Sequence, residues 1–280
     1  MKIGLVLEGG AMRGMFTAGV LDVFLDENIP IDGIVSVSAG ALFGVNLLSK
    51  QKGRALRYNK ALMNDGRYIG FKSLITTGNI VNKEFAFYEV PFKYDIFDNE
   101  TFKRSPIAFY VTATNIESGK PEYFKISDPF QQMEILRATS AMPYVSKPVE
   151  IDGKKYLDGG ISDSIPLDQC KAFGYDKIIV VLTRPFDYRK TKPNPLISKL
   201  FYHQYPHLAA TLNNRYAEYN QRLEQLIRLS ELGEIFVIRP SKDLAVKRIE
   251  KDVNKLQEMY DLGVEDANSA LENLKAYLAK

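Results

Sequence analysis

Tryptophan is absent from the 280-residue chain, cysteine occurs once and histidine twice. A lone Cys170 cannot close an intramolecular disulfide and cannot supply a cysteine zinc site by itself. Two histidines, His203 and His207, are too few for a histidine-rich metal centre, so none is expected. No run of about 18 apolar residues occurs, and no transmembrane helix is expected. An excess of one charge is missing as well. The 37 Lys and Arg stand against 34 Asp and Glu, a formal net charge of +3, and no dense basic run occurs. Nucleic acid is therefore not an expected partner. The apolar run at Ile3 to Leu7 stops at Glu8, too short for a secretory signal. With one unpaired cysteine, a cytoplasmic protein is expected.

Material for a core is present. Hydrophobic residues make up 45% and charged residues 25%, which excludes disorder as the main state and fits one or two globular domains. Ile3 to Leu7, followed by Gly9-Gly10, reads as a buried parallel strand entering a tight turn. Gly14 to Asp26 then places Met15, Phe16, Val20, Leu21, Phe24 and Leu25 at helical spacing. Ile34-Val35 and the small residues Ser36 to Gly40 follow, and Ala41 to Leu48 is helical again. This alternation implies a mainly parallel sheet with helices on its faces.

Further strands are expected at Ile107 to Thr114, Glu122 to Ile126, Val149 to Ile151, Lys154 to Leu157 and Lys177 to Thr183. Asp152-Gly153 is a hairpin signal between two of them. Gln51 to Asn64 looks helical, whereas Tyr68 to Val81 has no clear period. Composition shifts near the basic, proline-bearing stretch Arg189 to Pro195. Residues 1–190 are expected to form the core. Residues 191–280 are expected to be a helical extension with one added strand, Ile235 to Arg239, packed on the same domain. Its helices are placed at Leu208 to Leu232, Leu244 to Tyr260 and Gly263 to Leu278. Cys170 is expected to be a small buried hydrophobe on the helix after Pro166. For Phe201-Tyr202 and Tyr68 to Lys72, core packing is expected, with contact to a lipid surface as the alternative.

Three constellations carry chemistry. Gly9-Gly10-Ala11-Met12-Arg13-Gly14 lies between strand and helix, where backbone N–H groups and a helix N-terminus suit an anion. That anion could be a pyrophosphate or the oxyanion of an acyl transfer, and a plain tight turn is a third reading. Ser36-Val37-Ser38-Ala39-Gly40 offers a serine on a sharp turn. A nucleophile elbow needs small residues two before and two after, and Ser36 and Gly40 satisfy this around Ser38. A helix-capping serine is the plainer account. Asp158-Gly159-Gly160 puts a carboxylate on a turn after a strand, although Asp-Gly is also a common turn dipeptide.

Together these motifs, GGAMRG, SVSAG and DGG in that order, resemble the patatin-like phospholipase family, and the small-residue segment Ala138 to Pro143 is similar to a further family segment. The resemblance covers roughly residues 1–185 and departs from the family pattern at Ala11 and Ser36. It implies a three-layer α/β/α fold and hydrolysis of lipid acyl esters, without metal or cofactor, by a Ser38–Asp158 dyad. Gly9 to Gly14 would supply the oxyanion hole and Gly159-Gly160 the family's turn. Arg13 would fix the loop or attract a phosphate head group, or stand as a plain surface residue. The partners implied are a lipid acyl ester and a transient membrane surface. The histidine count agrees independently, because His203 and His207 lie in a proline-broken segment away from all three motifs and read as surface residues. The rival is a non-catalytic protein binding a nucleotide or acyl ligand at the glycine-rich loop.

Overall fold

A computed structural model describes all residues, Met1 to Lys280. In chain order the elements are β1 (Ile3–Leu7), α1 (Met15–Asp26), β2 (Gly33–Val37), α2 (Ala39–Leu48), α3 (Arg54–Leu62) and α4 (Phe71–Thr77). A π-helical stretch, Glu84–Tyr94, precedes α5 (Asn99–Arg104), β3 (Ala108–Asn115), β4 (Pro121–Ile126), α6 (Met133–Thr139), β5 (Val149–Ile151) and β6 (Lys154–Asp158). The chain ends with α7 (Leu167–Ala172), β7 (Lys177–Val181), α8 (Pro195–Phe201), α9 (Pro206–Glu231), β8 (Ile235–Ile238) and α10 (Val253–Leu278).

The strands form one sheet in the order β5-β6-β3-β2-β1-β7-β8, with β4 also paired to β3. β3, β2, β1, β7 and β8 run parallel. β4, β5 and β6 join by antiparallel pairing. The central strands are apolar on both faces, and period-2 alternation divides their side chains. Leu5, Leu7, Ile34, Ile179 and Val181 point into a core shared with α1, α2 and α10. Val6, Val35, Ile178 and Val180 point into a second core, with Cys170 of α7 and Tyr219, Leu223 and Leu226 of α9. The result is the three-layer α/β/α architecture.

Two sequence expectations change. Residues 244–278 form one helix and a loop, not two helices. Glu250 holds the loop by accepting N–H groups of Lys247, Lys251 and Asp252, and Asp252 caps α10 at Asn254. Gly263 does not interrupt α10, because it is a contact point. A Cβ there would lie 2.1 Å from the Phe16 carbonyl oxygen of α1, and one on Gly19 of α1 would lie 2.2 Å from that of Tyr260. The two helices therefore cross backbone to backbone. Second, core packing holds for Tyr68 and Ile69 but not for Phe71 or Phe201, which are exposed. The short amphipathic helices α4 and α8 turn these rings outward.

Candidate active site

Ser38 is the single residue between β2 and α2, with φ 52° and ψ −122°. A non-glycine residue at positive φ is strained, and strain held by its surroundings is a mark of functional turns. The surroundings are specific. The Ser38 N–H donates to Thr139 Oγ1 at 2.8 Å, and that hydroxyl donates to the Thr112 carbonyl at 2.6 Å. The end of β1 passes so close that a Cβ on Gly40 would sit 2.7 Å from the Leu7 carbonyl oxygen. Ser36 faces away, its hydroxyl spent on the Tyr110 carbonyl at 2.8 Å. Its place is that of a small spacer.

Asp158 reaches Ser38 because β3 aligns them. Val37 pairs with Thr112, and Asp158 pairs with the next residue, Ala113. β4 occupies the opposite edge of β3, so β2 and β6 meet end to end along one edge. Ser38 Oγ donates to Asp158 Oδ2 at 2.6 Å, and the Gly160 N–H donates to Oδ1 at 2.7 Å. The Asp158 carbonyl in turn accepts from Thr114 Oγ1, whose hydroxyl also lies 3.5 Å from the Gly159 carbonyl. Ser38 and Asp158 are each only 7% exposed. Burial raises the Asp158 pKa above the usual carboxylate range, opposed by the Ser38 hydrogen bond and the Arg215 charge. A carboxylate made more basic in this way is better suited to take a hydroxyl proton.

The glycine-rich loop lies alongside. Gly9, Gly10, Ala11 and Arg13 line a polar pocket with Ser38 and Asp158. The Gly10 N–H has no protein acceptor. The Met12 N–H is spent on the Arg248 carbonyl and that of Arg13 on the Gly10 carbonyl, so the expected anion-binding stretch from Gly9 to Gly14 narrows to its first three residues. Met12 faces the neighbouring apolar cavity, and Gly14 is buried where the single 3-10 turn Ala11–Gly14 meets α1. Ala11 holds φ 49°.

Two cavities meet at Ser38. One, of about 140 Å³, is lined by 24 residues of which 18 are hydrophobic, among them Leu42, Phe43, Phe87 and Met133. Such a lining suits an alkyl chain. The other, of about 60 Å³, collects Arg13, Arg184, Lys190, Arg215 and Arg248 around Glu8 and Asp158. Glu8 is fully engaged with neutral donors, Thr183 on one oxygen and Tyr219 on the other. Burial, followed by the nearby Arg184 charge, lowers the Arg13 pKa to about 10. Burial and then Arg215 push Lys190 well below its ordinary value.

Thr139, Arg215 and Arg248 were not legible as site residues. Thr139 sits inside the small-residue segment already noted, and its hydroxyl was the available signal. Arg215 on α9 reads in sequence as one more charge on a solvated helix face. His203 and His207 are exposed and line neither cavity. Cys170 is buried with its thiol pushed up to about 12, an inert hydrophobe.

A family model described as "Patatin-like phospholipase" matches residues 5–171, and one described as a domain of unknown function, DUF6363, matches residues 205–279. The Escherichia coli protein YjjU, itself titled uncharacterized, is 31% identical over 196 residues, covering 66% of this chain and 52% of its own. Lysophospholipase NTE1 of Saccharomyces cerevisiae is 24% identical over 97% of this chain but only 16% of its own length. For lysophospholipase nte1 of Aspergillus fumigatus the figures are 26%, 64% and 12%. The chain thus spans about half of the first of these relatives and a small fraction of the other two. The crystal structure of VipD from Legionella pneumophila aligns with a TM-score of 0.47 and 12% identity, over 97% of this chain and 67% of that one. With its family model matched from strand β1 into helix α7, this chain belongs to the patatin-like phospholipase family.

Proposed function

We propose that the protein hydrolyses acyl esters of lipids through Ser38 and Asp158. The observation that carries this reading is the 2.6 Å Ser38–Asp158 hydrogen bond at the mouth of an apolar cavity. Asp158 takes the Ser38 proton as Oγ attacks the ester carbonyl. The N–H groups of Gly10 and Ala11 stabilise the oxyanion, a contribution of about 3–4 kcal/mol per donor in comparable sites. The tetrahedral intermediate collapses, the alkoxide leaving group takes the proton from Asp158, and an acyl-Ser38 remains. Asp158 then deprotonates a water that attacks the acyl carbonyl, and the fatty acid departs as Ser38 recovers its proton. The apolar cavity holds one acyl chain, in keeping with relatives named lysophospholipases.

Residues 191–280 act in this reading as part of the same unit, supported by β8 pairing with β7 and by Arg215 and Arg248 in the polar pocket. No helix is long and apolar enough to cross a membrane. The substrate is reached from a lipid surface through Leu196, Leu200 and Phe201 of α8 and Phe71 and Ile75 of α4, all exposed. Tyr144 joins this patch by stacking edge-on to Phe201 at 5.3 Å, next to Pro143 at the pocket. With Cys170 a free thiol, the cytoplasm is the proposed compartment.

A serine-directed fluorophosphonate and an ester assay test the reading together. Wild type is expected to label at Ser38 and to turn over long-chain esters, and Ser38→Ala is expected to do neither. A folded wild type that stays unlabelled yet retains a nucleotide or acyl ligand would instead make it a binding protein.

A further inference from the structure

Five cationic side chains, Arg13, Arg184, Lys190, Arg215 and Arg248, share the polar pocket beside Ser38, against two carboxylates, Glu8 and Asp158. Neither carboxylate neutralises them by direct contact. Glu8 is held by Thr183 and Tyr219, and Asp158 by Ser38 and the Gly160 N–H. Arg184 has one long ion pair, 3.7 Å to Asp243. The Nε atoms of Arg13, Arg184 and Arg215 are buried with no hydrogen-bond partner. Lys190 is left with Ser164 Oγ at 3.3 Å and the face of Tyr219. Burying guanidinium groups unpaired is costly, and the cost is recovered when an anion enters. Four of the five cations lie outside the family-matched residues 5–171.

We infer that this chamber is the headgroup subsite for a phosphate monoester, so that the preferred substrates are acyl esters bearing a terminal phosphate, such as a mono-acylated glycerol phosphate. The inference rests on the hydrolase reading and adds its substrate class. The geometry orders the substrate: chain in the apolar cavity, ester carbonyl at Ser38, phosphate among the arginines. The excess of cationic over anionic side chains favours a dianion and disfavours the ammonium of a choline or ethanolamine head. Fork-shaped guanidinium groups pair phosphate oxygens two at a time.

The test compares kcat/KM of the full chain on three micellar esters of one acyl chain: 1-acyl-glycerol-3-phosphate, 1-acyl-glycerophosphocholine and the uncharged p-nitrophenyl ester. Arg248 is exposed, so Arg248→Ala is expected to fold normally. Wild type should prefer the phosphate ester over the choline ester by at least about tenfold, the factor for one charge-assisted contact. Arg248→Ala should lower the ratio of phosphate ester to p-nitrophenyl ester by a similar factor, chiefly through KM, and Arg248→Glu should lower it further. Equal rates on the phosphate and choline esters, or a ratio unmoved by both substitutions, would overturn the inference. Inorganic phosphate should compete with the phosphate ester, raising its KM. If it instead changes kcat on the p-nitrophenyl ester without competing, the chamber is a free-anion site and the headgroup assignment is wrong. Should none of the three esters be turned over, the hydrolase reading fails separately. Calorimetric binding to Ser38→Ala then decides the chamber: tenfold tighter binding of the phosphate lipid supports it, and equal binding of the two lipids refutes it.

Discussion

Ser38 and Asp158 are held by main-chain geometry. One occupies the strained residue after β2 and the other the last residue of β6, and consecutive residues of β3 pair with their strands. Arg215 and Arg248 are held differently. One projects from the middle of a long helix and the other from an exposed loop, and they meet only because α9 and the segment before α10 pack over the glycine-rich loop. The contrast separates two kinds of site. A residue fixed by a turn requires particular neighbours, so Ser36, Gly40 and Gly159 mark it in the sequence. A residue brought in by packing requires nothing of its neighbours.

The sharpest way to break the contrast is to neutralise one residue of each kind. Asp158→Asn keeps an oxygen for the Gly160 N–H but cannot accept the Ser38 proton. Turnover is expected to fall by about 10⁴-fold or more, as when a catalytic unit loses one member. Arg248→Ala is expected to cost far less and to do so selectively. The stability sign runs the other way for Asp158. Its folded pKa is raised, so the folded state binds its proton more tightly than the unfolded state, and stability falls as pH rises from the ordinary carboxylate value through the raised one. Above that window Asp158→Asn should melt at or above the wild-type temperature. A thermal melt showing clear destabilisation at neutral pH would mean that the carboxylate holds the fold rather than the proton.

The same shift fixes the pH dependence of the rate. An ionised Asp158 is required, so kcat/KM should fall on the acid side, with its midpoint above the usual carboxylate range. His203→Ala with His207→Ala should leave profile and rate near wild type. A folded but inactive double variant would replace the dyad by a triad.

Thr139→Val probes the support beneath the strained turn. It removes the acceptor for the Ser38 N–H and the donor to Thr112, all buried. The expected loss is about 1–3 kcal/mol of unfolding free energy and roughly tenfold in kcat. Urea denaturation beside single-turnover kinetics measures both, and a loss of stability with kcat intact would show that the elbow stands without Thr139.

Much of the fold follows the same rule of legibility. The parallel strands were readable because both faces of β1, β2 and β7 are buried, which leaves continuous apolar runs such as Ile178 to Val181. α10 runs through Gly263, where the sequence suggests a break, because a glycine at a helix crossing looks in sequence like a helix end. Phe71 and Phe201 are exposed, against the core packing expected first for them and open to the alternative of surface contact, because an aromatic residue on a short helix carries the same local signal whichever way it faces. The Ser38, Asp158 and loop positions were marked by their turns, and the arginine chamber was marked by nothing local.

The smallest expected effect compares two alanines with similar positive φ, one in each part of the chain. Ala11, in the glycine-rich loop, has φ 49°, and Ala245, in the exposed loop before α10, has φ 53°. The left-handed region costs an alanine about 1–2 kcal/mol. Glycine removes that cost but adds unfolded-state entropy of about 0.5–1 kcal/mol. Each Ala→Gly change should therefore stabilise the protein by up to about 1 kcal/mol, read as a shift in the urea midpoint at constant slope. The Ala245 N–H also donates to Asp243 at 2.8 Å, a local turn that glycine keeps. Activity should separate the two. Ala245→Gly should leave kcat alone, because its residue lines neither cavity. Ala11→Gly loosens a loop whose N–H groups must already be in place when the oxyanion forms, so kcat should fall two- to fivefold, about 0.4–1 kcal/mol. Equal stabilisation with a kcat loss at Ala11 alone would show that the alanine at this position trades stability for a fixed oxyanion site. An unchanged kcat in both would reduce Ala11 to a turn residue and remove its N–H from the proposed mechanism.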